Sequence, residues 1–356
     1  MVNKKFWKGK KVLITGHTGF KGAWLSMYLK KLGAEICGVS LPPPTNPSLY
    51  ELLDLKSKMK NEITDIRNTK KLNNVFIEFQ PEIVFHLAAQ PLVGLSYTYP
   101  VETYDVNLMG TLHILEAIRH THSVRSAVMI TTDKCYNNKE WVWGYREEDE
   151  LGGHDPYSSS KAAAEILIKS YRDSYFKNTE RNIAIASARA GNVIGGGDWA
   201  DDRLIPDIFK SMFNKETLEL RNLNAVRPWQ HVLDPLTGYL ILAKELYQNH
   251  IEFTGAWNFG PDYKQTKNVG EIVQFIQNNS SEKLSINVSN GKYKETTFLK
   301  LDSTKSNTRL HWYPVWNLNQ CLEKTIEWYL AYREGKDMVE ITENQIEEFV
   351  ASSNIL

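Results

Sequence analysis

Thr132, Asp133 and Lys134 stand in a row at the end of the apolar run Ala127 to Ile130. A hydroxyl, a carboxyl and an amine side by side can position an oxygen, protonate a leaving group and take a proton from carbon. An ion pair at a strand end would have the same composition. Further on, PYSSSKAAAE puts Tyr157 and Lys161 four residues apart at the start of a helix-periodic stretch, hence on one face. An ammonium beside a phenol favours the phenolate, so the pair can deprotonate an alcohol as hydride leaves the same carbon. Alone, the spacing arises often by chance and can be a surface pair.

A third candidate precedes both. GHTGFKG sets Gly16, Gly19 and Gly22 between the run KVLIT and the helical pattern Phe20 to Leu32. Glycines at that junction permit a tight turn, let backbone N–H groups approach a pyrophosphate and allow close helix-to-strand packing. The spacing is GxxGxxG, and its place after the first strand predicts a dinucleotide site. The acidic residue that grips the adenosine ribose is missing, because the second strand ends Gly38, Val39, Ser40 and Glu35 comes too early. No arginine lies near Ser40 to hold a 2′-phosphate, so this rule leaves NAD and NADP open.

The elements that must position these groups alternate. KVLITG, AEICGVS, EIVFHLA and SAVMITT are short apolar runs separated by helix-periodic stretches, including Phe20 to Leu32 and Tyr104 to His120. The layer continues with a helix from about Tyr157 to Tyr175, the strand IAIASA, a helix from Pro235 to Gln248 and the strand AWNFG. The expected fold is α/β: a doubly wound, Rossmann-type parallel sheet with helices on both faces. Segments 191–230 and 261–356 have shorter, mixed patterns and are expected to form a smaller α/β lobe. Residues 1–190 and 231–260 would then form the dinucleotide-binding domain. The stretch LPPPTNPS, residues 41 to 48, can be neither helix nor central strand and reads as a connector.

Composition sets the outer bounds. The chain has 356 residues, 42% of them hydrophobic, enough for at least one large core. Lys plus Arg equals Asp plus Glu at 42 each, so no overall field argues for nucleic acid or an anionic membrane. Nothing approaches the roughly 18 apolar residues of a membrane span, and VLITG is too short for a signal sequence. The expectation is a cytoplasmic protein. Cys37, Cys135 and Cys321 lie far apart without metal-ligand spacing, and the histidines show no HExxH pair, so no disulfide framework and no metal are expected. Cys135 reads as a packing residue rather than a nucleophile.

GHTGFKG, HLAAQ, TTDKCY and YSSSK, in this order and spacing, resemble the extended short-chain dehydrogenase/reductase family, whose members act on nucleotide sugars. RAGNVIGGGDW and RPWQHVLD extend the resemblance over nearly the whole chain. It implies NAD as cofactor, held by Gly16, Thr18, Gly19, Phe20, Gly22, Ser40, Asp65, Ile66, Leu87, Ala88 and Ala89 with Tyr157 and Lys161. It maps the family's hydroxyl onto Thr132. Members that epimerise C4 follow that hydroxyl with small or apolar residues; 4,6-dehydratases place two ionisable residues there, typically Asp-Glu. Asp133 and Lys134 depart from that pair and resemble the branch acting on CDP-glucose.

The implied chemistry uses every member of the row. After oxidation at C4 with Tyr157 as base, the C5 proton is acidic and the C6 hydroxyl lies β to a carbonyl. Lys134 is then the base at C5 and Asp133 the acid at C6. Asn192, Arg203, Arg227 and Glu295 are implied as substrate contacts, with Asn192 and Arg227 at the diphosphate. Trp141, Trp143, Tyr145 and Arg146 read equally as a cover over a ligand or as loop anchors, and Gly195 to Gly197 as flexibility or close approach to a nucleotide. A 4-epimerase remains an alternative that has no use for Asp133 and Lys134. A cofactor-sensing regulator is another, but such proteins often lose the Tyr or the Lys. A homodimer is expected, with Leu108, Leu112 and Leu115 on one helix and Ala164, Ile168 and Tyr171 on another available to pair.

Overall fold

The computed structural model describes residues 2–177, 183–262, 267–280, 284–288 and 298–353. Seven parallel strands form the central sheet: β1 (Lys11–Thr15), β2 (Glu35–Ser40), β3 (Lys60–Ile63), β4 (Ile83–His86), β5 (Ser126–Ile130), β6 (Ala184–Ala190) and β11 (Gly255–Phe259). Their order is β11-β6-β5-β4-β1-β2-β3. The chain therefore winds outward from β1 in one direction and from β4 in the other, which leaves a crevice beyond their carboxyl ends.

Side-chain alternation explains why the sheet is covered twice. Val12 and Ile14 of β1, Ile83 and Phe85 of β4, and Val128 and Ile130 of β5 point into one apolar cluster. Leu13, Val84, Ala127 and Met129 point into the other. On the first face lie α1 (Phe20–Leu32) and α6 (Leu233–Asn249), with Trp24, Tyr28, Leu236 and Leu240 buried. On the second lie α2 (Thr69–Phe79), α3 (Gly110–His120) and α4 (Pro156–Tyr171), through Leu72, Phe76, Ile114, Ile118 and Ile168.

The sequence pattern misses β3. Lys60, Asn61, Glu62 and Ile63 form an edge strand with no buried residue, and an edge strand needs no apolar face. The expected helix from Tyr104 to His120 is also interrupted: Asp105–Met109 forms a π turn before α3. Its Asn107 is buried and bonds Gln90 and Ser160, so the wider turn aims an amide at the Tyr157 helix. Leu115 and Ile168 pack inward against the sheet and Ala164 is buried, so half of the expected pairing stripe is core. The exposed apolar residues of this region are instead Leu95, Tyr97, Tyr99, Val101, Tyr104, Met109, Ile166 and Tyr175.

Short strand pairs build the second lobe. β7 (Asn192–Ile194) runs parallel to β10 (Trp229–His231), β8 (Thr217–Leu220) parallel to β13 (Ser285–Val288), and β9 (Val226–Arg227) antiparallel to β12 (Lys267–Asn268). They pack with α5 (Leu204–Asn214), α7 (Val269–Asn279), α8 (Leu318–Arg333) and α9 (Met338–Ser353). The first cluster runs on into this lobe through Phe209, Trp316, Trp328 and Tyr329. Gly195 to Gly197 serve that packing. A Cβ on Gly196 would stand 1.9 Å from Trp328, and one on Gly197, at φ +81, would stand 2.5 Å from Leu49. Among the described residues no helix is long and apolar enough to cross a membrane, and no cluster of His, Cys, Asp or Glu could hold a metal ion.

Candidate active site

The glycine loop turns at Gly16, whose φ of +78 suits glycine and whose added Cβ would lie 2.8 Å from the Ala88 amide nitrogen. A Cβ on Gly22 would come within 2.1 Å of the Gly16 carbonyl oxygen. Gly19 is different. It has an ordinary φ of −81 at the N-cap of α1 and donates no side-chain cap, and a Cβ there would meet nothing closer than 3.5 Å. Protein packing does not demand glycine at that position; a bare helix N-terminus there leaves its N–H groups accessible to an anion. Leu87, Ala88 and Ala89 follow β4 opposite the loop, with Ala88 N–H donating to Thr15 Oγ1 at 3.1 Å. The residues present fit a dinucleotide diphosphate.

Three residues of the predicted cofactor set, Thr18, Ser40 and Asp65, are engaged by the protein itself. Ser40 Oγ and Thr18 Oγ1 are 2.8 Å apart, and Thr18 also donates to the Leu41 carbonyl. Arg67 clasps the Asp65 carboxylate through Nε and Nη2 and holds it below the usual carboxylate range. Ile66 is buried against Gly110. Phe20 reaches across to the second lobe, 3.5 Å from where a Cβ on Gly195 would lie.

At the carboxyl end of β5 the chain enters one 3-10 turn, Asp133–Cys135. The Thr132 hydroxyl caps it, accepting from Lys134 N–H at 3.3 Å and donating to Asp133 Oδ1 at 3.1 Å. Asp133 is 2% exposed, and its Oδ2 has no hydrogen-bond partner among the described residues. Burial pushes its carboxyl up, against the pull of Lys134, Thr132, Lys21 and Arg227. Lys134 is half-buried. Cys135 is fully buried and burial drives its thiol up, which fits a packing residue.

Tyr157 and Lys161 are both buried in the first two turns of α4. Burial raises the Tyr157 phenol to about 12, and the neighbouring Thr132 hydroxyl opposes that rise. Burial pulls Lys161 down to about 8, against Glu165 and Cys135; its ammonium donates to the Ile130 carbonyl at 3.3 Å. The turn and the helix therefore bring all five predicted reactive residues to one strand end.

The second lobe closes on the same spot. A Cβ on Gly191 would stand 3.1 Å from Asp133 Oδ2 and 2.7 Å from Pro228, so the segment entering Asn192 runs directly over the acid. Arg227, beside Pro228, acts electrostatically on Asp133, and its guanidinium donates to Val226 O at 3.1 Å. Arg203 is paired with Asp198 at 2.8 Å and influences Tyr157. Glu295 lies outside the described residues. In the loop after the turn, Tyr136, Tyr145 and Trp141 stack on one another, while Trp143 is 68% exposed. Two of the aromatics are thus anchors, and Arg146 is exposed beside Asp149.

Sequence reading passes over three contributors. Lys21, in the first turn of α1, is drawn down to about 8 by burial and by Arg203 and Lys161, with Asp133 and Asp198 opposing. A cation at a helix N-terminus opposes the helix dipole, and that conflict is a signal the sequence does carry. Asn107 and the pair Glu165–Arg189 carry none, because their partners come from distant segments.

A doubly wound sheet, a glycine loop at its switch point and Tyr157–Lys161 beside Thr132 define the extended short-chain dehydrogenase/reductase class. Comparison narrows it: residues 13–325 match the model of the GDP-mannose 4,6 dehydratase family, and the chain belongs to that family. It is 46% identical over 357 residues to the CDP-glucose 4,6-dehydratase of Salmonella typhimurium, covering 99% of each chain. Among solved structures it resembles a UDP-glucose-4-epimerase from Stenotrophomonas maltophila with bound NAD (TM-score 0.81, 19% identity, 92% of this chain and 99% of that one). It also resembles the dTDP-glucose 4,6-dehydratase of Bacillus anthracis in complex with NAD (TM-score 0.76, 21% identity, 93% of this chain and 100% of that one).

Proposed function

We propose that this protein is an NAD-dependent lyase that dehydrates CDP-glucose to CDP-4-dehydro-6-deoxyglucose, a step in deoxysugar biosynthesis. The observation that carries the reading is a buried carboxyl, Asp133, whose Oδ2 has no hydrogen-bond partner among the described residues, next to Lys134 at the strand end that faces Tyr157. Elimination of water needs an acid and a base at that place; epimerisation at C4 does not. The choice of cytidine is supported by the 46% identical relative, named for CDP-glucose.

Each residue then has one task. Thr132 and Tyr157 hold the C4 hydroxyl, and Tyr157 takes its proton. NAD, held by the glycine loop and the Tyr157–Lys161 pair, would supply the hydride chemistry, as acceptor for C4 and donor to C6. Lys134 takes the C5 proton, now acidified by the C4 ketone, and Asp133 gives its proton to the C6 oxygen, which leaves as water. A raised Asp133 pKa favours the protonated form that this step requires. Lys134 afterwards returns a proton to C5 as C6 is reduced.

The dinucleotide is assigned to residues 1–190 and 231–260. Gly16, Thr18, Gly19, Phe20 and Gly22 take its diphosphate, Ser40, Asp65 and Ile66 its adenosine end, and Leu87 to Ala89 with Tyr157 and Lys161 its nicotinamide end. The nucleotide sugar is assigned to residues 191–230 and 261–356, with Asn192, Arg203 and Arg227 at its diphosphate and Glu295 as a further contact. The working form is proposed as a cytoplasmic homodimer, supported by the exposed apolar residues around Val101 and Ile166 and by three buried free cysteines.

The test is direct. Purified protein incubated with CDP-glucose should yield a product with the alkali-induced absorbance of a 4-keto-6-deoxy sugar. No such product, with NAD added and other nucleotide glucoses also tried, would overturn the assignment.

A further inference from the structure

A buried ion pair lies beneath the reactive turn and takes no part in the steps above. Glu165 of α4 and Arg189 of β6 are each about 3% exposed. Oε1 of Glu165 accepts from the Thr131 hydroxyl at 2.5 Å and from Arg189 Nε at 2.9 Å. Its Oε2 accepts from the Ser187 hydroxyl at 2.7 Å and from Arg189 Nη2 at 2.8 Å. Arg189 Nη1 goes on to the Tyr136 phenol at 2.8 Å and the Glu147 carbonyl at 3.0 Å. Replacing such a pair by packed apolar residues is often neutral or stabilising, so stability alone does not account for it.

The partners explain it better. Thr131 immediately precedes Thr132 and Tyr136 follows Cys135, so one network grips the chain on both sides of the reactive turn. Glu165 also lies one helical turn beyond Lys161, on the same face. The groups around Lys161 are Tyr157 and Glu165 on its own helix, Cys135 from the turn, Lys21 from α1 and His86 from β4. Burial keeps His86 neutral, down at about 3, and Lys21 is a cation. Glu165 is therefore the carboxylate that favours a charged Lys161.

We propose that Glu165, clamped by Arg189, is a positioning residue of the reaction: it fixes the end of β5 against α4 and sets a carboxylate one helical turn from Lys161. The inference rests on Tyr157 and Lys161 being the dehydrogenating pair. It does not depend on the later loss of water, since an epimerase would use the same pair.

The sign follows from the geometry. Glu165→Gln removes the charge that raises the Lys161 pKa, so Lys161 loses its proton at lower pH. In competitive acylation read by peptide mass spectrometry, the Lys161 titration of the variant should move down by roughly one pH unit. The alkaline limb of the rate of cofactor reduction by CDP-glucose should move with it, while the KM for CDP-glucose stays within about threefold. Because Gln alone leaves Arg189 buried without a counter-charge, the same measurements are made on E165Q/R189M, which removes both charges. A Lys161 titration that stays in place in the folded double variant would overturn the proposal. So would a rate loss in either variant that simply follows the fraction unfolded.

Discussion

Asp133 is held by opposing forces that a titration can separate. Its folded pKa is raised, so ionising it costs folded stability as pH climbs from the ordinary carboxylate range through the raised value. Below about pH 4 the residue is protonated in both states and the penalty vanishes. Asp133→Asn should accordingly melt higher than the parent at pH 7 and equal to it near pH 4, measured by thermal denaturation. The same variant should still reduce its cofactor with CDP-glucose but release water on the order of 100-fold more slowly. A variant that loses both steps together would remove Asp133 from the acid role. The row Thr132 to Lys134 is readable in the sequence because its chemistry is contiguous; Asn107 and Arg189 are not, since each matters through a partner tens of residues away.

At the scale of elements, the three loop glycines look alike in the sequence and differ in the fold. Gly22→Ala puts a Cβ against the Gly16 carbonyl and should lower both the melting temperature and NAD affinity. Gly19→Ala meets nothing closer than 3.5 Å, so it should leave the melting temperature within about 2 °C, since no contact is lost. It should nevertheless weaken NAD at least tenfold, because the methyl would fill the space the diphosphate needs. Calorimetric binding and melting on the two variants check this contrast; equal effects on both quantities would count against it. The alternating strands and helices are legible because burial on two faces writes apolar runs into the chain. β3 is not, because an edge strand of Lys60, Asn61 and Glu62 leaves no such mark.

At the scale of the whole molecule, an apolar face around Val101 and Ile166 is left uncovered by the described residues. Val101 is 82% exposed and Ile166 60%, on neighbouring helices joined by the Tyr104–Ser159 hydrogen bond. If the proposed homodimer pairs through this face, introducing charge there, as Val101→Glu with Ile166→Lys, should shift the particle from dimer to monomer in light scattering without lowering the helical content. A particle of unchanged mass would overturn the pairing of two chains through this face. The sequence gives helix periodicity for this region but not which stripe faces out. Leu115 and Ile168 turn inward because the sheet beneath them is itself apolar.

The segment Gly195 to Trp199 is held from far along the chain. Trp24 Nε1 donates to the Gly196 carbonyl at 2.9 Å, the Trp328 ring fills the space beside Gly196, and the Tyr329 hydroxyl donates to the Asp198 carbonyl. Asp198 in turn holds Arg203. Two of those three clamps, Trp328 and Tyr329, come from α8. The stretch that carries Asp198 and Arg203 therefore keeps its place only while α1 and α8 are both packed against it, so a change in α8 would reach Arg203 without touching it.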